Sequence, residues 1–153
     1  MRDTSWLPSY PPSSELWQQR RKDYDYLWSI AIHPDGSSNC QHAGSLKLEL
    51  ERCYCAGAWV ACIIIAEAIC EIHFSAEKKS NGINKNIFSE KLGILEDLKW
   101  LRDRRNALIH DKKQGMSLSN KDYRRERNSL ENDAKRATLL ALKVTLNNPS
   151  EDL

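Results

Sequence analysis

Arg105, Asn106 and His110 stand in the segment L-R-D-R-R-N-A-L-I-H-D-K-K, Leu101 to Lys113, and their side chains carry complementary chemistry. An arginine is a permanent cation whose planar fork of donors matches a carboxylate or phosphate. A histidine exchanges protons near neutrality, and an asparagine four residues before it on a helix is close enough to orient the imidazole. At about 100° per residue, Leu101, Arg105, Leu108 and Ile109 share one sector, so Arg105 interrupts an apolar stripe. A guanidinium in that position must be paired or aimed at an anion. The plainer alternative is that Arg105 reaches the edge of the core and bonds Asp103, leaving His110 an ordinary surface histidine. Arg105 and His110 lie about 140° apart on the wheel, so a single helix does not aim both at one point; a two-fold pairing of chains would help to bring them together.

The elements that must hold these residues read as helices. Met1 to Ser14 contain Pro8, Pro11 and Pro12 with Trp6 and Tyr10, and are expected to form an extended arm. Ser13 or Ser14 can cap a helix from about Glu15, where Trp17, Tyr24, Trp28 and Ala31 recur at helical spacing beside Leu16, Leu27 and Ile30, read as core; His33-Pro34-Asp35-Gly36 should end it. The stretch L-K-L-E-L-E-R-C-Y-C-A-G-A-W-V-A-C-I-I-I-A-E-A-I-C-E-I-H-F predicts one buried central helix. Its uncharged run, Cys53 to Ala66, is shorter than a membrane span, so no membrane association is expected. Glu67 closes that run between apolar neighbours and is the nominated partner of Arg105, with Glu71 one turn later competing.

Further along, Glu77 to Asn86 reads as a loop, and Ser89 as the cap of a short helix carrying Leu92, Leu95 and Leu98. A break just before Arg105 would set the motif near a helix N-terminus, where anions are favoured; Gln114-Gly115 is the expected end of the motif helix. Ser119 and Asp122 can open a basic segment, and Leu130, Ala134, Ala137, Leu140, Ala141 and Val144 mark a last amphipathic helix. Asn147 onward should fray. The domain is accordingly placed at 15–147, between an arm at 1–14 and a flexible tail at 148–153. The fold class is all-α, a bundle of four to five helices.

Composition narrows the function classes. Six glycines, five prolines and little alternation argue against a β fold. The five cysteines are odd in number and four lie in the apolar stretch, where they act as small core residues. Cys53-x-Cys55 has no second pair to complete a zinc site, so neither metal nor cofactor is expected. No secretory leader pattern opens the chain, and these features together point to a reducing, cytoplasmic setting. Between Lys99 and Arg127 ten Lys or Arg face four acids, whereas the whole chain is only +2. A basic segment of this kind suits an anionic polymer, and equally a solvated, ion-paired face.

The R-N-x-x-x-H pattern, in a helical setting and preceded by the A-G-A-W-V-A-C-I-I-I-A-E-A-I-C-E helix, resembles the signature of the HEPN superfamily, all-helical domains that are often metal-independent endoribonucleases. The resemblance implies a two-fold homodimer and RNA cleavage by the substrate's own 2′-hydroxyl. Arg105, Asn106 and His110 would be catalytic: His110 as general base or acid, Arg105 against the charge on the phosphorane, Asn106 on the imidazole or phosphate. Glu67, Arg104 and Arg102 would support the site, and Lys112, Lys113, Arg124, Arg125 and Arg127 would bind RNA. It also implies a toxin or defence effector restrained by a cognate antitoxin, which in such systems is often nucleotidyltransferase-like. Modified toxins of this kind commonly carry tyrosine two residues after the histidine, where this chain has Lys112, so restraint by binding is the form left open. The competing expectation is a non-catalytic helical module that binds RNA or a protein through the basic segment 99–127.

Overall fold

The computed structural model describes residues 11–32, 43–110 and 120–147. Among them the chain forms seven helices and no strand: α1 Ser14–Ala31, α2 Gly44–Ala56, α3 Trp59–Asn81, α4 Lys85–Lys91, α5 Leu95–Ile109, α6 Asn120–Arg125 and α7 Arg127–Leu146. The all-α expectation holds, but the helix count exceeds the four or five read from periodicity, because two helices are too short to show it and one expected helix is two. The arm up to Tyr10 and the tail from residue 148 lie outside the described residues.

The stretch read as a single central helix breaks at Gly57. That glycine adopts φ 74° and its N–H closes on the Tyr54 carbonyl at 3.0 Å, while Ala58 N–H reaches the Cys53 carbonyl at 2.9 Å. This is the left-handed helix stop for which glycine lacks the steric penalty. An apolar pattern that continues across the junction hides the break. Other boundaries move as well. α3 runs on to Asn81 and ends at Gly82, φ 64°, so residues 77–81, expected as loop, are helical. Asn84 and not Ser89 caps α4, through Asn86 N–H at 2.9 Å. Ser89 is buried and donates to the Lys85 carbonyl at 2.6 Å. Gly93, φ 66°, separates α4 from α5. In α1, Ser13 accepts from Leu16 N–H at 3.2 Å as expected.

Cross-helix contacts fix the directions. Arg20 and Arg21 of α1 reach Cys55 and Glu51 of α2, and Glu67 and Glu71 of α3 reach Arg105 and Arg102 of α5. Asp97 and Arg104 of α5 reach Arg136 and Asp133 of α7. In each of these pairs the order is reversed, so the two helices run antiparallel, and α3 and α7, each antiparallel to α5, run the same way. The α2–α3 junction, the C-terminus of α5 and the N-terminus of α7 therefore share one end of the bundle.

α3 is the centre, packing against α2, α5 and α7. It buries Trp59, Cys62, Ile63, Ala66, Ile69, Cys70 and Phe74, and each large apolar side chain contributes roughly 1.5–3 kcal/mol. The expected face of α7 is buried throughout, from Leu130 to Val144. The α1 reading needs correction: Leu16, Trp28 and Ile30 are exposed, and the core positions go to Tyr24, Ala31 and Arg20. The fraying expected from Asn147 also fails at that residue. Asn147 is buried, and its amide donates to the Ala31 carbonyl at 3.0 Å and the Lys143 carbonyl at 2.7 Å, tying the ends of α7 and α1 together.

By length and composition α3 could cross a membrane; half of that apolar window is packed inside the bundle, and it carries Glu67 in an ion pair with Arg105. It is a bundle helix with one apolar side left uncovered.

Candidate functional site

Arg105 sits in the last turns of α5, on the face that buries Leu98, Leu101 and Leu108. Its Nε donates to Glu67 Oε2 at 3.2 Å and its Nη2 to Oε1 at 3.0 Å. Glu67 is therefore the partner, and Asp103 and Glu71 are not. A two-pronged arginine–carboxylate pair fixes the plane of the guanidinium. The carboxylate side chain is 9% exposed and the arginine 22%, so the open part of the pair belongs to the cation. With Nε and one Nη2 hydrogen engaged, the Nη1 end has no partner among the described residues. One turn back, Arg102 lies 3.9 Å from Glu71, both half in solvent.

Asn106 is half-buried and His110 exposed. Helix α5 ends at Ile109, short of the Gln114-Gly115 stop expected from sequence. His110 is its C-cap in extended backbone, φ −112° and ψ 120°, with its N–H on the Asn106 carbonyl at 2.9 Å. The physical reason lies in the stripe: in a longer helix the next positions in register after Leu108 would be Asp111 and Lys112, whose side chains offer no apolar surface to bury. Among the described residues neither the Asn106 amide nor the His110 imidazole has a side-chain hydrogen bond, so the amide does not orient the imidazole in this structure. The motif is thus at a C-terminus, where the helix dipole disfavours anions, and not at the N-terminus a break before Arg105 would have given. Positive charge at the site must come from side chains.

The supporting residues divide. Arg102, Asn106 and Ile109 project within about 60° of one another on α5, on the flank next to α3. There α3 leaves Ala61, Ile64, Ile65 and Ala68 half-buried and Ile72 exposed, an apolar strip beside the Arg105 seat. Arg104 projects to the opposite flank and is held by Asp133 at 2.7 Å, so the structure does not bring it to Asn106. Arg124 and Arg125 are exposed on α6 and Arg127 half-buried at the start of α7, at the same end of the bundle as His110. Arg125 bonds Asp122 at 3.0 Å. Lys112 and Lys113 lie outside the described residues.

No family model, characterised protein or solved structure matches the chain.

Sequence reasoning missed Arg20. It is 8% exposed, donates to the Cys55 carbonyl at 3.3 Å and stacks 5.0 Å from the Trp59 ring centroid. Its signal was of the same kind as that of Arg105, a cation in register with Trp17, Tyr24 and Ala31. Around it Tyr54 packs edge-on against Tyr24 and Trp59. Burial pushes the Tyr24, Tyr54 and Cys62 ionisations far up, and that of Cys70 up to about 12. These thiols stay protonated and act as core residues. Among the described residues no group of three or more His, Cys, Asp or Glu is placed to hold a metal.

Proposed function

We propose that the chain is a metal-independent endoribonuclease of the HEPN type, acting as a toxin or defence effector in the cytoplasm. The observation that carries the reading is the Arg105 seat. A buried carboxylate grips one edge of the guanidinium, and among the described residues no partner holds the other edge; Asn106 follows Arg105 in the chain and His110 caps the same helix. A cation held this way presents preorganised donors to charge developing on a phosphorane. In the reaction, the 2′-hydroxyl attacks the adjoining phosphorus and the bond to the 5′-oxygen breaks, leaving a 2′,3′-cyclic phosphate and a free 5′-hydroxyl. His110 takes the proton from the nucleophile or delivers one to the leaving oxygen. Arg105 faces the non-bridging oxygens, and Asn106 holds the phosphate or the imidazole.

A two-fold homodimer through the uncovered strip of α3 (Ala61, Ile64, Ala68 and Ile72) with Ile109 of α5 would set two motifs side by side and offset the divergence of Arg105 from His110. Its small alanines allow close approach. Arg102, Arg124, Arg125 and Arg127 would hold the strand, and restraint would come from an antitoxin that binds without modifying the chain. The exposed arginines of α6 also favour a second reading, a non-catalytic module that binds RNA or a protein.

The deciding experiment is cleavage of total RNA and tRNA in EDTA by wild type, Arg105→Ala and His110→Ala at matched folding and oligomeric state. Cutting by wild type alone, with cyclic phosphate ends, supports the nuclease. An inert wild type, or equal cutting by all three, sinks it and leaves the binding module.

A further inference from the structure

The outward face of α5 carries a second constellation that the cleavage scheme does not use. An open cleft of about 450 Å³ is lined by Glu96, Lys99, Trp100, Asp103, Arg104 and Ala107, within the range of small-molecule sites. The indole of Trp100 is fixed from α7: the Arg136 guanidinium stacks 4.0 Å from its centroid, and Arg136 is itself held by Asp97 through Nε and Nη2. Glu96 and Asp103 stand one turn before and one turn after Trp100, and among the described residues neither these carboxylates nor Lys99 forms an ion pair. Asp103, Ala107 and His110 succeed one another along the same face of α5 at helical spacing, so the cleft leads toward His110.

An immobilised indole beside unpaired carboxylates is a poor seat for a phosphate and a good one for an aromatic ring that carries N–H donors. Guanine fits this description best, since its N1–H and 2-amino group form two adjacent donors that one carboxylate can accept together. Adenine and cytosine offer one amino group beside an acceptor, and uracil one N–H between two carbonyls. We propose that the cleft is a nucleobase subsite: one unpaired base of an RNA strand, guanine by preference, stacks on Trp100 with its donor edge on Asp103 or Glu96. Lys99 takes the neighbouring phosphate. The subsite rests on the ribonucleolytic reading for its assignment to RNA, and it makes the substrate single-stranded where it meets the cleft, since a paired base keeps its face and edge inside the helix.

The test separates binding from cleavage. His110→Ala protein, intact but for the proposed proton carrier, is titrated with labelled six-nucleotide strands that are uridine-rich and differ only in a central G, A, C or U. The G strand should bind tightest. Adding Trp100→Ala should weaken it by about tenfold or more, the scale of losing one base–aromatic stack, and Trp100→Phe by a few-fold only, which excludes simple unfolding. Asp103→Asn combined with Glu96→Gln should abolish the advantage of G over U, and the single variants show which carboxylate carries it. Equal binding of the G strand with and without Trp100, or no binding of any strand, overturns the subsite. Trp100-dependent binding by a protein whose wild type cuts nothing keeps the subsite and removes the nuclease; cleavage with a KM indifferent to Trp100→Phe and Trp100→Ala does the reverse.

Discussion

Two arginines interrupt apolar helix faces in this protein, and the bundle treats them differently. Arg105 is gripped by a carboxylate on α3 and stays partly open. Arg20 is enclosed at the α2–α3 junction, with a carbonyl and an indole as its partners. A Cβ on Gly57 would come within 2.6 Å of the Arg20 Nη1, so there the guanidinium occupies the space where a side chain would have been. The first arrangement keeps donors available to an incoming anion; the second uses the cation to close the negative end of α2. Burial of a charge is therefore not in itself a mark of function, and the partner and the remaining opening decide.

On the proposed nuclease reading, the largest expected effect separating the two is on RNA cleavage. Arg105→Ala and Arg105→Lys should each lower RNA cleavage by about 100-fold or more, since an ammonium cannot reproduce the fork. Arg20→Met, assayed per folded molecule below its melting temperature, should cut at close to the wild-type rate. A large loss of specific activity in a folded Arg20→Met protein would erase the distinction.

Stability should rank the other way. Gly57→Ala forces a Cβ into left-handed backbone and against Arg20, an expected loss of about 2–4 kcal/mol in urea unfolding. Combining it with Arg20→Ala should recover part of that loss, and strict additivity would mean that the close approach carries no energy. Glu67→Ala strands a guanidinium that is only partly buried. It should cost about 2 kcal/mol, below the range for removing one partner of a fully buried pair, and Glu67→Gln less. The smallest change is expected for Arg104→Ala, at most about 1 kcal/mol from its pair with Asp133.

Much of this architecture is legible in the residues themselves. The α7 face could be read from spacing because Leu130, Ala134, Ala137, Leu140, Ala141 and Val144 recur at helical spacing and all are buried, although the helix also buries Thr138 and Thr145, which the apolar pattern does not mark. The Glu67–Arg105 pair could be read because Glu67 stood between apolar neighbours and Arg105 interrupted an apolar helix face, although Glu71 competed for the same partner. Three things could not. Gly57 breaks a stretch whose hydrophobicity continues on both sides, so no change of period marks the junction. His110 leaves the helix because Asp111 and Lys112 offer no apolar surface to pack beyond Leu108, which is a matter of burial and not of propensity. Arg20 hid among aromatics whose spacing promised a core, although three of the apolar residues on that helix, Leu16, Trp28 and Ile30, face solvent.

The connectivity has a consequence for synthesis. α7 supplies much of the cover for α3, and Asn147, just past its end, is what reaches back to Ala31. It is the last of the described helices to leave the ribosome. Until then the apolar residues of α3 lack their principal wall, and a chain growing residue by residue cannot complete its core. The Arg105 seat is assembled between α3 and α5, both translated earlier, but it is braced from α7 through Asp133 and Arg136. A nascent chain would thus carry every residue of the motif before it had the scaffold to use them, so any RNA-cutting activity would be withheld from the translating ribosome until the whole bundle had emerged.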